Sequence, residues 1–417
     1  MLQANSASHQ AKPGGDAGNH ESDALGMKSA KRMEHIPFSA IRKVLEAAAA
    51  KEKLGQEVIH LEIGRPDFDT PVHIKEQAKQ ALDLGRVHYT SNYGILELRR
   101  EIARKLDRQN GLVYDPEGEI TVTVGSNEAV FMAMMALLDP GDEVLVVDPC
   151  WLHYFYCATL AGAVAVSVPA RSENDFIPTM EDFRSCLSAR TRMVVVNSPN
   201  NPTGAVYPES FFKELAALAC EHNLLVLSDE IYEDIIYAGA RHHSIAGFPG
   251  MKPRTILVNG FSKNYAMTGW RLGYAAADRE LTRALIRVHQ YTTVCATTFA
   301  QWGGVAALAG GRGVVDEMVA QFERRMQFVY RELGAMPGVK VIRPRGAFYF
   351  MADISSFGLD SEQMSTYLLE EAGCATVPGA GLGRYGHNYI RISYANSMAK
   401  LRVGMQRIQN ALQKLAA

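Results

Sequence analysis

The middle of the chain alternates short, unbroken runs of Val, Ile and Leu with helix-length segments, and this alternation limits the fold more than any other feature. Six such runs stand out: EITVTVG (119–125), DEVLVVDP (142–149), TRMVVVNSP (191–199), LLVLSDE (224–230), TILVNG (255–260) and RLGYAAA (271–277). A strand wetted on one face alternates apolar and polar residues. A strand apolar at nearly every position is buried on both faces, as happens when helices cover both sides of a parallel sheet. Helical stretches do lie between the runs, NEAVFMAMMALLD after the first and WLHYFYCATLA after the second. The expectation is an α/β fold whose large domain, residues 73–312, is a three-layer α/β/α arrangement around a mostly parallel sheet.

The flanks have a different texture. IRKVLEAAAAKEKLG (41–55) reads as a helix closed by Gly55, followed by the strand-like EVIHLEIG (57–64). After Gly313 a long helix (314–336) precedes VKVIRP, GAFYFMADIS and NYIRISYA, a smaller α+β domain over 313–417. Residues 35–72 are expected to join it as its N-terminal part. Residues 1–34 are polar and without aromatics, so they bury too little apolar surface to offset the entropy of ordering. They are expected to be a disordered N-terminal extension. They have no apolar core of a secretory signal, and their mixed acids argue against a transit peptide.

Composition narrows the function classes. The chain has 417 residues, 47% of them hydrophobic, enough for a large core. Its net charge of -2 sets up no global field to recruit nucleic acid or an anionic membrane. Six cysteines are scattered without CxxC or pairing spacing and read as reduced thiols of a cytoplasmic protein. No apolar run approaches the roughly 20 residues of a membrane span. His242 and His243 are adjacent, and no HExxH or Cys/His ligand spacing occurs, so no metal site is expected.

In sheets of this kind ligands sit beyond the carboxyl ends of the strands. Gly125-Ser126-Asn127-Glu128 opens a helix after the first run, and such a helix start with small residues suits a phosphate. Asn200-Asn201-Pro202-Thr203-Gly204 follows the third run, Asp229-Glu230-Ile231-Tyr232 the fourth, and Phe261-Ser262-Lys263 the fifth; Arg271 begins the sixth. A carboxylate ending a buried strand is expensive unless a cation pairs with it. One cofactor uses all of these groups. Pyridoxal 5'-phosphate needs an amine for its Schiff base, an acid for its ring nitrogen and an anion site for its phosphate.

IGRPDFDTP (63–71), YTSNYGILELR (89–99), GSNEA, DPCW, NSPNNPTG, SDEIYE, SKNYAMTGWRLGY, GAFYF and IRISYA follow in an order and spacing that resembles the class I aminotransferases of the aspartate aminotransferase fold. The resemblance runs from about Ile36 to the C-terminus. It implies the pyridoxal-phosphate-dependent transferase fold of type I and a ping-pong exchange of an amino group between an L-amino acid and a 2-oxo acid. Lys263 then resembles the Schiff-base lysine, and Asp229 the acid at the ring nitrogen. Asn201 and Tyr232 resemble the donors to the ring oxygen, and Trp151 the stacking aromatic. The phosphate falls to Gly125, Ser126, Asn127, Ser262 and Arg271, with Tyr89 reaching the site of a neighbouring subunit, which implies a homodimer with shared active sites. Arg391 resembles the clamp for the substrate α-carboxylate, with Gly64, Trp151 and Asn201 beside the substrate. The GAGLG at 379–383 has no strand-turn-helix around it and is not read as a nucleotide motif.

Three departures bear on the substrate. Asn127 stands where aspartate-specific members are expected to carry a lysine, Arg65 stands where the family has Glu, and RVHQYTTVCATT offers only Arg287 or His289 as counterpart to the arginine a partner subunit lends. A lyase or oxidase of the same fold remains the alternative chemistry. A transcription regulator of this fold would need a DNA-binding domain, for which about 34 residues of little net charge are too short.

Overall fold

The computed structural model describes residues 29–237 and 239–416. Backbone packing divides the chain into Met1–Pro37 and Phe38–Ala417. In the first part a 3-10 turn, Lys31–His35, is the one described element. The expected disordered extension otherwise lies outside the described residues.

The second part begins with α1 (Ala40–Lys53), β1 (Ile59–His60), α2 (Val72–Asp83) and α3 (Leu96–Lys105). There follow β2 (Ile120–Thr123), α4 (Gly125–Leu137), β3 (Glu143–Asp148), α5 (His153–Leu160) and β4 (Val164–Pro169). Then come α6 (Met180–Cys186), β5 (Thr191–Asn197), α7 (Glu209–Glu221), β6 (Leu225–Asp229), β7 (Thr255–Gly260) and β8 (Gly273–Ala276). Helices α8 (Arg279–Thr292), α9 (Thr298–Ala309) and α10 (Gly313–Gly334) lead to β9 (Lys340–Val341) and β10 (Tyr349–Asp353). The chain ends with α11 (Ser361–Glu371), β11 (Cys374–Ala375), β12 (Val377–Pro378), β13 (Tyr389–Ser393) and α12 (Met398–Ala416).

Seven strands form the central sheet in the order β2-β8-β7-β6-β5-β3-β4. All neighbours pair in parallel except β8, which runs antiparallel to both β2 and β7. The unbroken apolar runs are explained by what lies on each face. Leu145, Val147, Val194, Val196 and Val226 pack with Phe211, Phe212 and Leu215 of α7. The alternate residues Val144, Val146, Val195, Leu227, Ile256 and Val258 pack with α4 and α5, through Val130, Met132, Met134 and Cys157. Period two sends successive side chains to opposite layers, and each such buried aliphatic stabilises the fold by about 1.5–3 kcal/mol.

Two smaller sheets complete the unit. Strands β12-β13-β10-β9 form an antiparallel sheet, and β1 pairs in parallel with β11. Their core joins Phe322, Met326 and Val329 of α10 to Phe348, Phe350, Ile392 and Leu401, with Ile59 and Leu61. Only two residues of EVIHLEIG form a ladder, because the chain changes partner there. Leu61 N–H donates to Ala375, while its carbonyl accepts from Ser393 of β13.

Candidate active site

The carboxyl ends of β5, β6 and β7, the start of α4 and the loop after β1 surround a cavity of about 320 Å³. Its lining includes Gly64, Ser126, Asn127, Trp151, Asn201, Asp229, Tyr232, Ser262, Lys263, Arg271 and Arg391, residues spread over more than 300 positions of sequence.

Asp229 is the last residue of β6 and is 1% exposed. Its carboxylate accepts the Tyr154 hydroxyl at 2.7 Å and the Ile231 N–H at 3.1 Å. Burial pushes its pKa up to about 6, opposed by those two donors and more weakly by the Lys263 charge. Lys263, three residues past β7, is partly buried, and its Nζ donates to the Gly64 carbonyl at 2.5 Å. Burial, then the charges of Arg391 and Arg271, bring its pKa down from 10.5 to about 8, against the pull of Asp229. The ammonium lies 5.7 Å from the Tyr232 ring centroid and 5.8 Å from that of Phe348.

Arg391, in the middle of β13, is 1% exposed. Its two terminal nitrogens donate to Asn201 Oδ1 at 3.0 Å and to the Glu62 carbonyl at 2.6 Å, and its guanidinium lies 4.5 Å above the Tyr349 ring. Its Nε has no partner, although a buried donor left unsatisfied costs about 1–3 kcal/mol. Asn201 is itself held by its N–H to Asn197 Oδ1, and Asn197 Nδ2 donates to the Asp229 carbonyl. The Tyr232 and Tyr349 hydroxyls lie 2.8 Å apart. A Cβ on Gly64 would meet the Tyr349 hydroxyl at 2.5 Å, so this loop approaches as closely as it does because residue 64 is glycine.

At the opposite end, the first-turn N–H groups of α4 have no intrahelical acceptor and make an anion-seeking edge. Glu128 accepts the Val124 N–H at 2.6 Å and ties the helix start to the preceding strand. A Cβ on Gly273 would lie 2.6 Å from both the Gly125 carbonyl carbon and Ser126 N, so β8 runs directly beneath that helix start. The Arg271 guanidinium sits against Gly125, and Arg271 holds a left-handed φ of 52°. Trp151 stacks on His153 with ring centroids 4.5 Å apart and meets Tyr154 edge-on at 5.8 Å.

Two expected residues stand apart. Tyr89 is 86% exposed and does not line the cavity, and Gly125 borders it behind Arg271. Of the two alternatives in the 287–298 segment, Arg287 is exposed, while His289 is fully buried with its Nδ1 3.1 Å from Glu128. Sequence reasoning passed over Tyr154, Tyr349 and Asn197. Tyr154 left a signal, since it lies three residues after Trp151 where a helix begins, and that spacing returns a side chain to the same face. His242 is partly buried 2.9 Å from Glu230, and Glu233 lies close enough to complete a three-group cluster. Lys105 already pairs with Glu233, so those carboxylates have cationic partners within the protein. Gly383, the last glycine of GAGLG, lets the chain turn against Asp148, whose carboxylate accepts the Arg384 N–H at 2.9 Å.

Among the described residues no helix is long and apolar enough to cross a membrane. Residues 56–408 match the family described as aminotransferase class I and II. The chain is 42% identical over 390 residues to an aspartate aminotransferase of Pyrococcus abyssi, covering 93% of this chain and 99% of that one. It is 41% identical to aromatic-amino-acid aminotransferase 2 of Thermococcus litoralis, over the same shares of the two chains. Among solved structures, the aspartate aminotransferase of Thermus thermophilus with maleate superposes with a TM-score of 0.88 at 40% identity, covering 92% of this chain and all of that one.

Proposed function

This chain belongs to the class I and II aminotransferases, and on that premise we propose that Lys263, Asp229 and Arg391 carry its chemistry, with Tyr232 and Asn201 assisting. The enzyme is a pyridoxal-phosphate-dependent aminotransferase, moving an amino group from an amino acid to a 2-oxo acid in two half-reactions. The observation that carries the assignment is one juxtaposition: a lysine brought down to about 8 shares a cavity with a buried carboxylate brought up to about 6.

The residues present fit the cofactor. Asp229 is a buried carboxylate whose donors are both neutral, so a cationic ring nitrogen would offset a desolvation cost that the protein leaves standing. The α4 start, Ser126, Asn127, Ser262 and Arg271 supply the donors a phosphate takes, and Trp151 and Tyr154 supply aromatic surface. Bound there, pyridoxal phosphate supplies an electron-poor ring that takes up the electron pair left when the substrate α-carbon loses its proton.

The chain's own work is acid–base and positional. Asp229 would hold a proton on the ring nitrogen. Lys263 would hold the cofactor through its amine and, when that amine is free, would carry the proton to and from the substrate α-carbon. At about 8 its pKa leaves roughly a tenth of it as free amine at pH 7, against well under a thousandth for an ordinary lysine. Arg391 already spends two nitrogens on Asn201 and the Glu62 carbonyl, which fix its plane. Its unpartnered Nε and remaining N–H groups are left for the substrate carboxylate. Tyr232 offers a hydroxyl that burial keeps protonated, with Tyr349 as its partner.

The same reading proposes a homodimer, with the exposed Tyr89 reaching a neighbouring copy's site, and a cytoplasmic home, in keeping with the free thiols Cys150, Cys157 and Cys374 in the core. It also assigns residues 73–312 of the chain to a large domain and residues 35–72 and 313–417 to a small one. The test is single-turnover spectroscopy with a panel of amino acids. Transfer predicts that each productive amino acid converts the bound cofactor to its aminated form and that a 2-oxo acid reverses the change. Ammonia release without amination would refute it in favour of a lyase or oxidase.

A further inference from the structure

The cleft holds more positive charge than these roles consume. Arg65, Lys263, Arg271 and Arg391 line it, against a single carboxylate, Asp229. In the reading above, on which this inference rests, Lys263 is the reacting amine, Arg391 holds the α-carboxylate and Arg271 belongs to the phosphate cradle. Arg65 has no task. It is solvent-exposed on the loop whose Gly64 carbonyl receives the Lys263 amine.

The loop's own acids do not neutralise it. Asp67 is bound by Arg325 at 2.6 Å, and Asp69 by Lys75 at 2.5 Å. Among the described residues Arg65 makes no ion pair and no side-chain hydrogen bond. The remaining polar side chains of the cleft lining, Asn127 and Thr268 among them, are neutral. A guanidinium is a planar fork suited to a carboxylate, and one kept unpaired at the mouth of a cationic cleft is ready for an anion from outside the protein.

We propose that Arg65 binds the distal carboxylate of a dicarboxylic substrate, so that one half-reaction uses a four- or five-carbon dicarboxylic amino acid and its 2-oxo acid. Arg65 would be a specificity-determining residue: it contributes when the substrate has a second carboxylate and nothing when it has not.

The test compares acids of equal length that differ only in that group. Calorimetry on the holoenzyme measures the affinities of unreactive glutarate and pentanoate, and steady-state kinetics measures kcat/KM for 2-oxoglutarate and 2-oxopentanoate. Arg65→Ala is expected to lower both dicarboxylate-over-monocarboxylate ratios about 10- to 100-fold, the value of a charge-assisted contact. Arg65→Lys, which keeps the charge and loses the fork, is expected to recover part of the preference. Ratios unchanged by Arg65→Ala, or a parent enzyme that binds pentanoate as tightly as glutarate, would overturn the proposal. If the parent turns over no 2-oxo acid, the aminotransfer reading fails, while the glutarate-to-pentanoate ratio still decides the role of Arg65.

Discussion

Replacing Asp229 by Asn is expected to stabilise the cofactor-free protein while abolishing turnover. Burial lifts this carboxyl from 3.8 to about 6. With the folded value above the unfolded one, the group favours the folded state fully below about 3.8, and that advantage is lost as the pH climbs through about 6. The gap corresponds to about 3 kcal/mol at pH 7.5, and roughly half of it has been lost by pH 5. Asparagine has nearly the same shape. Its Oδ1 still accepts the Ile231 N–H, and the Tyr154 hydroxyl can turn from donor to acceptor for the new amide. The variant apoprotein should therefore be more stable than the parent by up to about 3 kcal/mol at pH 7.5 and by about half as much at pH 5. Urea denaturation at fixed protein concentration measures this, with activity after adding pyridoxal phosphate read in parallel. A variant no more stable at pH 7.5, or a gain that does not shrink toward pH 5, refutes the account of Asp229 as a strained buried charge.

Two further outcomes follow from the geometry. Lys263 titrates near 8 rather than 10.5, so the rate at which apoprotein captures the cofactor should rise about tenfold per pH unit below about 8 and level off above it. Stopped-flow absorbance between pH 6.5 and 9 reads this, and a flat profile argues against a desolvated amine. Gly273→Ala would set a methyl 2.6 Å from the Gly125 carbonyl carbon and Ser126 N, backbone atoms that cannot swing aside as a side chain can. A loss of about 1–3 kcal/mol together with weaker cofactor binding is expected from denaturation and equilibrium titration. Parental stability and affinity would show that β8 and α4 are not in close contact.

The sequence made some of this legible because its signals were local. An unbroken run such as DEVLVVDP says that both faces of β3 are covered, and the structure shows α7 on one side and α4 with α5 on the other. Residues at strand ends, Asp229 and Lys263 among them, could be placed on one rim because strand direction alone puts them there. The antiparallel β8 was not visible, since a buried strand looks the same in either direction. Nor was the attachment of Arg391 to Asn201 and the Glu62 carbonyl, which joins parts of the chain 190 and 329 positions away. Tyr349 escaped notice for the same reason: its partners, Tyr232 and the glycine at position 64, are set by how the small sheet meets the large one.

The two perturbed groups of the cleft show why so much of the fold converges there. Asp229 is raised and Lys263 lowered, and for each the largest cause is removal from water. Each shift counts against folding at neutral pH, and their mutual attraction is among the smaller contributions to either. A fold selected for stability alone would have paired them directly or replaced both with apolar residues. Instead Lys263 is bonded to a backbone carbonyl and Asp229 to a tyrosine hydroxyl, neutral partners that hold each charge in place without cancelling it. Arg391, with one nitrogen unsatisfied in the interior, follows the same pattern. Groups left incompletely satisfied gain the most when the right ligand arrives, and stability then rises with ligand concentration relative to its dissociation constant. The desolvation that these side chains bear in the cleft is therefore the same free energy that selects what enters it.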